Sequence, residues 1–391
     1  MTSHSDYIVF GAPSIGEEEV NEVVDSLRGG WLGTGPKAAR FEEIVRTYVG
    51  ATYGMALNSC TAGMHLSLLA CGIGPGDEVI TTPLSFCATG NVILHAGATP
   101  VFVDVDRTTM NIDASKIEQA ITPRTKAILP VHFAGRPCDM DAIMDMAKKH
   151  DLYVIEDAAH ALGAEYQGKK IGSIGDATCF SFYVTKNIVT GEGGMVTTDN
   201  KEIADKIKVY GLHGLSHDAW KRYSDEGYRH YDMVFPGFKY NMMDLQAAIG
   251  IHQMEKIGEF YAKRKKLWER YKDAFKDLPV TLPADTPADQ IHALHLFTLL
   301  IDAKTAGLDR DTFMHELHKR GIGSGVHFRP IHLLKYYREQ FGYTPGSYPN
   351  AEYIGERTVS IPFSAKLTEA DADRIIDAVR EIVLKKKGVS A

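Results

Sequence analysis

The 391-residue chain reads as an α/β protein, with a mostly parallel seven-stranded sheet in a large domain and a smaller C-terminal α+β domain. Three observations predict this. Between about residues 54 and 198, short β-rich runs alternate with helix-patterned segments, the order that builds a parallel sheet covered on both faces. Two of the runs, Ala127-Ile-Leu129 and Tyr153-Val-Ile155, are unbroken and apolar, as central strands buried on both faces require. Beyond Asp244 the alternation stops and longer helical patterning takes over. The length exceeds one small core, so two domains are expected, 1–250 with the N-terminal arm and 251–391.

Taken in order, the strand candidates are 54–58, 78–82, 100–105, 127–131, 153–156, 177–182 and 195–198. Each is short and bounded by turn formers, and all but the first hold β-branched or aromatic residues. Helical spacing covers 61–71, 114–120 and 140–150 between them. A long helix is predicted over 244–278, stopping before Pro279, whose ring cannot continue it. An apolar strand over 296–301, a helix over 310–320 and a final helix over 368–384 opened by Thr368 complete the chain.

With 44% hydrophobic and 24% charged residues, the composition is that of a soluble globular protein. The net charge of −7, from 43 basic and 50 acidic residues, excludes a general nucleic-acid binder. The basic runs 263–266 and 385–387 sit in helix-like stretches beside acidic residues and read as solvated faces. The cysteines at 60, 71, 87, 138 and 179 form no CxxC pair, which suits a reducing cytoplasm. The start shows no signal-peptide pattern, and no run approaches the ~18–20 apolar residues that span a bilayer. A cytoplasmic location is expected.

In an open parallel sheet, ligands gather at the carboxyl ends of the strands. Those ends carry Asn58-Ser-Cys-Thr-Ala62, Pro83-Leu-Ser-Phe86, Glu156-Asp-Ala-Ala-His160 and Ser181-Phe-Tyr-Val-Thr-Lys186. Lys186 follows an apolar strand and precedes the glycine-rich Gly191-Glu-Gly-Gly194. A lysine amine desolvated by such neighbours becomes nucleophilic and condenses with a carbonyl. Serine hydroxyls and exposed amides nearby are natural phosphate donors. Together they suggest pyridoxal 5′-phosphate, which also needs a carboxylate for its ring nitrogen and a ring to stack on. Asp157 could be that carboxylate or a helix N-cap, and Phe86 that ring or a core residue. Thr61 and Ala62 open a helix and could face an anion or merely begin it. His160 could bind the cofactor's hydroxyl or be a packed core histidine. No dinucleotide or Walker A pattern competes, and neither His213-Gly-Leu-Ser-His217 nor His315-Glu-Leu-His318 has zinc-ligand form.

Five ordered blocks resemble the DegT/StrS-type sugar aminotransferases: Asn58–His65, Gly72–Val79, Glu156–Ala161, Ser181–Asn187 with Gly191–Gly194, and Gly237–Ala248. The likeness extends from the arm Gly30-Trp-Leu-Gly-Thr-Gly-Pro36 to Ser360-Ile-Pro362. It implies a fold-type I, aspartate aminotransferase-like transferase that uses pyridoxal phosphate to aminate keto sugars attached to nucleotides, with glutamate as donor. It further implies that Lys186 forms the Schiff base, Asp157 pairs with the ring nitrogen, His160 meets the ring hydroxyl and Phe86 stacks. Thr61, Ala62 and Ser181 would form the phosphate cup, and Asn241 would reach the phosphate of a neighbouring subunit, making a homodimer with shared sites. Tyr183, His327 and Arg329 are the candidate substrate contacts. Tyr183 stands where many relatives carry His, and Lys239-Tyr-Asn241 where many have Asn-Tyr-Arg. Two alternatives stay open: amination of a free cyclic ketone such as scyllo-inosose, and a non-catalytic regulatory protein that binds the cofactor. Dehydratase relatives replace the lysine by His, so Lys186 speaks against that activity.

Overall fold

The computed structural model describes residues 7–216 and 232–386. Seven strands make the main sheet: β1 (Tyr53–Leu57), β2 (Glu78–Thr81), β3 (Thr99–Phe102), β4 (Thr125–Leu129), β5 (Tyr153–Asp157), β6 (Ala177–Ser181) and β7 (Gly194–Thr198). Their spatial order is β1-β7-β6-β5-β4-β2-β3. The run from β3 to β6 is parallel, and β7 lies antiparallel between β6 and β1. Each strand falls within a few residues of its expected place.

The apolar runs are explained by burial on both faces. Ile80, Ile128, Val154 and Phe180 lie in the core on one side of the sheet, and Val79, Ala127, Ile155 and Cys179 in the core on the other. The helices divide accordingly. In chain order they are α1 (Glu17–Gly29), α2 (Pro36–Val49), α3 (Cys60–Ala70), α4 (Cys87–His95), α5 (Met140–His150), α6 (Lys201–Tyr210) and α7 (Asp244–Glu255). Phe41 of α2, Ile143 of α5 and Ile251 of α7 cover the first face, while Leu66 of α3, Val92 of α4 and Ile207 of α6 cover the second.

The single helix expected over 244–278 is two: α7 ends at Glu255 and α8 (Ile257–Phe275) begins after Lys256. The two halves serve different cores. Ala247, Ile251 and Met254 pack against the sheet, whereas Leu267, Tyr271 and Phe275 belong to a C-terminal core. Lys256 at the break is held by Glu18 and Glu19 of α1. Residues 114–120 are likewise a 3-10 turn followed by one α-helical turn rather than a continuous helix.

The C-terminal core gathers β8 (Phe297–Leu300), α9 (Arg310–Lys319), β9 (Thr358–Ile361) and α10 (Glu369–Lys386), with β8 antiparallel to β9. Thr368 caps α10: its hydroxyl accepts from the Asp371 amide at 3.1 Å while Asp371 accepts from the Thr368 amide at 3.0 Å. We propose the division 1–250 and 251–391 as two domains on the strength of these separate cores. Ile8 of the N-terminal arm lies in the C-terminal core, its backbone bonded to Gly321 and Gly323.

Of the basic run 263–266, Lys263 and Lys266 pair with Glu259 and Glu369 on the surface, but Arg264 is buried. Its Nη1 donates to the carbonyls of Leu294, His295 and Phe363, which takes it off the expected solvated face. Lys387 of the second basic run, and His217, lie outside the described residues. No helix among the described residues is long and apolar enough to cross a membrane.

Candidate active site

A cavity of about 610 Å³ opens at the carboxyl ends of β2, β5 and β6. Thr61, Phe86, Asp157, His160, Ser181, Tyr183, Lys186 and His327 all line it. Ala62, Asn241 and Arg329 do not. The Ala62 amide donates to Ser59 Oγ at 3.1 Å, capping α3. Asn241 lies beside Leu57 and donates to Thr34. Arg329 is exposed, its guanidinium directed at the Leu333 carbonyl.

Backbone approach fixes the position of α3. A Cβ on Gly194 would come within 2.3–2.5 Å of the Ser59 and Cys60 backbone, so only glycine lets β7 run against the start of this helix. With the Ala62 amide taken by the Ser59 cap, the Cys60 and Thr61 amides at the start of α3 are left to favour an anion beside the Thr61 and Ser181 hydroxyls.

Asp157 ends β5 almost wholly buried. Thr89 Oγ1 donates to its Oδ2 at 2.8 Å and the Ala159 amide to its Oδ1 at 3.2 Å. Both donors are neutral. Burial pushes its pKa above the ordinary carboxylate range, with these donors and the Lys186 charge opposing. Burial in the cavity wall pushes Lys186 down to about 8, against the pull of Asp157. A substantial share of its amine is therefore neutral near physiological pH.

Three histidines surround this pair. The Ala134 amide donates to His160 Nδ1 at 3.3 Å, so the ring carries its proton on Nε2. The ring lies parallel to Phe328, centroids 5.9 Å apart. His327 Nδ1 is 2.8 Å from Ser360 Oγ, and its ring stacks on Phe10. His295 lies against His160 with centroids 4.4 Å apart. Burial, then the nearby Lys186 charge, pushes His327 down to about 4; burial also drives His160 and His295 well below their usual value, so all three are neutral.

At the cavity wall Phe86 is 61% exposed and Tyr183 44% exposed. The exposure removes the core reading of Phe86 and leaves an aromatic face free to stack. Behind Asp157, on the opposite face of β5, Glu156 is bonded to His132 (2.8 Å), Thr178 Oγ1 (2.6 Å) and the Gly175 amide (2.9 Å). The Cys138 amide donates to His132 Nδ1, leaving Nε2–H to face Glu156. Against the cost of burial, these donors hold the Glu156 carboxyl below its ordinary value.

Sequence reasoning missed Thr89, His295, Glu192, Phe10 and Phe328 as cavity residues. Thr89 lies three residues after Phe86, on α4, with no local pattern to mark it. His295 left a faint signal, as the second histidine of His292-Ala-Leu-His295 before an apolar strand.

The sequence profile of the DegT/DnrJ/EryC1/StrS aminotransferase family matches residues 13–380. The chain is 54% identical over 375 residues to the uncharacterized protein MJ1066 of Methanocaldococcus jannaschii, covering 96% of this chain and 97% of that one. It is 50% identical over 378 residues to the spore coat polysaccharide biosynthesis protein SpsC of Bacillus subtilis, again covering 96% and 97%. Among solved structures, the PMP form of the putative sugar aminotransferase Spr1654 from Streptococcus pneumoniae superposes with a TM-score of 0.91 at 35% identity, covering 97% of this chain and 100% of that one. DesI, solved in the presence of its TDP-sugar product, superposes with a TM-score of 0.87 at 30% identity, covering 98% and 94%.

Proposed function

This chain belongs to the DegT/DnrJ/EryC1/StrS aminotransferase family, and on that premise we propose that it moves an amino group from L-glutamate to the C4 keto group of a nucleotide-linked sugar. The fold is fold-type I and the cofactor pyridoxal 5′-phosphate. The single observation that carries the site reading is the pairing, in one cavity, of a lysine with depressed pKa and a buried carboxylate served only by neutral donors.

The residues present fit the cofactor. A protonated ring nitrogen supplies the cation that Asp157 lacks, the Thr61 and Ser181 hydroxyls with the α3 amides suit its phosphate, and Phe86 offers a face. When bound, the cofactor supplies the electron sink for breaking a bond at the carbon that carries nitrogen. Lys186 would hold it, and as a free amine would serve as the proton carrier in each of two ping-pong half-reactions. Asp157 keeps the ring nitrogen protonated. His160, with its proton on Nε2, would donate to the ring hydroxyl. Tyr183 and His327 contact the substrate from the cavity wall, and Arg329, outside the cavity, would have to swing inward to do so.

Nucleotide linkage is supported by the size of the cavity, its aromatic wall and the likeness to DesI. The C4 choice rests on Cys60–His65, Lys239–Asn241, Gly321–Arg329 and Lys335–Arg338, which resemble UDP-4-amino-4-deoxy-L-arabinose–oxoglutarate aminotransferase. We place Asn241, which does not line its own cavity, at the phosphate of a partner subunit, with a homodimer as the working unit.

The test begins with holoenzyme and L-glutamate alone, which should release one 2-oxoglutarate per active site. A panel of nucleotide-linked 3- and 4-keto sugars and free cyclic ketones then follows. Absence of the glutamate half-reaction, with glutamine silent too, favours a non-catalytic binder. Turnover of free ketones but not nucleotide-linked ones overturns the sugar assignment. Lys186→Ala should keep the fold and lose turnover.

A further inference from the structure

Asn187 adjoins Lys186, yet its side chain turns away to residues that follow α8 in the chain. Its Nδ2 donates to the Ala293 carbonyl at 2.7 Å, and its Oδ1 is 3.1 Å from His295 Nδ1. The first bond orients the amide, so the oxygen faces His295. Oxygen can only accept, so His295 is protonated on Nδ1 and bare on Nε2. His160, against which it lies, has the opposite tautomer because Ala134 donates to its Nδ1.

The same few residues close a circuit. Ala293 donates to the Gly135 carbonyl at 2.8 Å and His295 to the Ala134 carbonyl at 3.0 Å, so the turn that orients His160 also anchors the strip that grips Asn187. Arg264 clamps that strip from behind through the Leu294 and His295 carbonyls. Two non-glycine residues in the circuit are left-handed, Ala134 with φ 56° and Leu294 with φ 52°. Such backbone is strained and persists only where its surroundings over-determine it. Here each of the two lies between bonded neighbours, and the Leu294 amide is itself held by His292 Nδ1 at 2.9 Å.

We propose that Asn187 and His295 form a latch that positions Lys186 and His160 by tying their strand-end turns to the 293–296 strip. The inference rests on the aminotransferase reading of Lys186. His295 acts as a positioning residue: it grips the neighbour of the reactive amine and braces the ring that binds the cofactor hydroxyl.

Three variants separate the latch from a merely structural histidine. Asn at 295 places an N–H where Nδ1 stood, Gln reaches only the Nε2 position, and Phe keeps the ring without the bond. Each apoenzyme is mixed with pyridoxal phosphate, and capture is followed by visible absorbance, with kcat, KM and melting temperature measured on the holoenzyme. His295→Gln and His295→Phe should slow capture and lower kcat about tenfold, the consequence of leaving Asn187 Oδ1 unpaired, with both KM values within about twofold. His295→Asn should restore capture and kcat to within about threefold of wild type, a rescue that comparable melting temperatures make specific. Wild-type behaviour of the Gln variant overturns the latch, as does equal failure of the Asn and Gln variants. Borohydride reduction of the wild type distinguishes the underlying reading: cofactor fixed to a residue other than Lys186 overturns both.

Discussion

Raising the pH of the apoenzyme should relieve one destabilising contribution, the buried charge of Lys186. In the folded chain burial pushes this lysine down to about 8 from an ordinary value near 10.5. Its charge therefore opposes folding fully below the folded pKa, and the penalty is relieved as pH rises from about 8 towards the unfolded value. A depression from 10.5 to about 8 is worth about 3 kcal/mol, of which roughly 2–3 kcal/mol is recovered between pH 7 and pH 10. The perturbation that isolates it is Lys186→Met, which keeps most of the volume and removes the charge. Urea unfolding of both apoenzymes at pH 7 and pH 10 provides the measurement, since subtracting the variant cancels the titrating groups remote from Lys186. Lys186→Met should be the more stable at pH 7, and its advantage should shrink by roughly 2–3 kcal/mol at pH 10. The same shift leaves about a quarter of the amine neutral at pH 7.5, against about one part in a thousand for an ordinary lysine. Capture of pyridoxal phosphate should thus gain speed with a midpoint near 8. A stability difference flat with pH, together with a capture midpoint at 10 or above, would refute the reasoning.

Asp157→Asn should still bind the cofactor but slow the glutamate half-reaction at least about a hundredfold in single-turnover measurements, because the ring nitrogen loses its anionic partner. Thr89→Val removes one of two donors to Asp157 and should slow the same step about tenfold, with the cofactor absorbance retained. His132→Phe leaves the Glu156 carboxylate buried without its ring partner and should cost about 3 kcal/mol by urea unfolding at pH 7. Because Glu156 is held below its ordinary value in the fold, that difference should hold above about pH 4.5 and fade as acid protonates it. Phe86→Ala, at an exposed position, should change stability by less than about 0.5 kcal/mol yet weaken cofactor affinity measured by equilibrium titration.

Local patterns carried the fold to a useful depth. Runs such as Ala127-Ile-Leu129 marked strands because both faces of the sheet demand apolar side chains, and that demand is written residue by residue. The break at Lys256 was not readable, since helical spacing continues across it and only the presence of two cores makes a bend favourable. Arg264 shows the same limit: in sequence it is one of four neighbouring basic residues, and in space it alone meets three carbonyls from distant segments.

The candidate site divides along that line. Lys186, Asp157, His160 and Ser181 were identifiable because parallel strands deliver their carboxyl ends to one edge, so a strand assignment already brings these residues together. Phe86 was ambiguous, because whether a phenyl ring after a strand is core or cavity wall depends on what packs over it. Thr89 and His295 bear on Asp157 and Asn187 across 68 and 108 residues respectively, and no local rule reaches that far. What the sequence alone determined was therefore the chemistry at the strand ends, through periodicity and side-chain type. Only the tertiary structure decided which hydrogen-bond partners hold those groups, which protonation state each is left in and which aromatic faces stay bare, because these depend on contacts between segments whose meeting no spacing encodes.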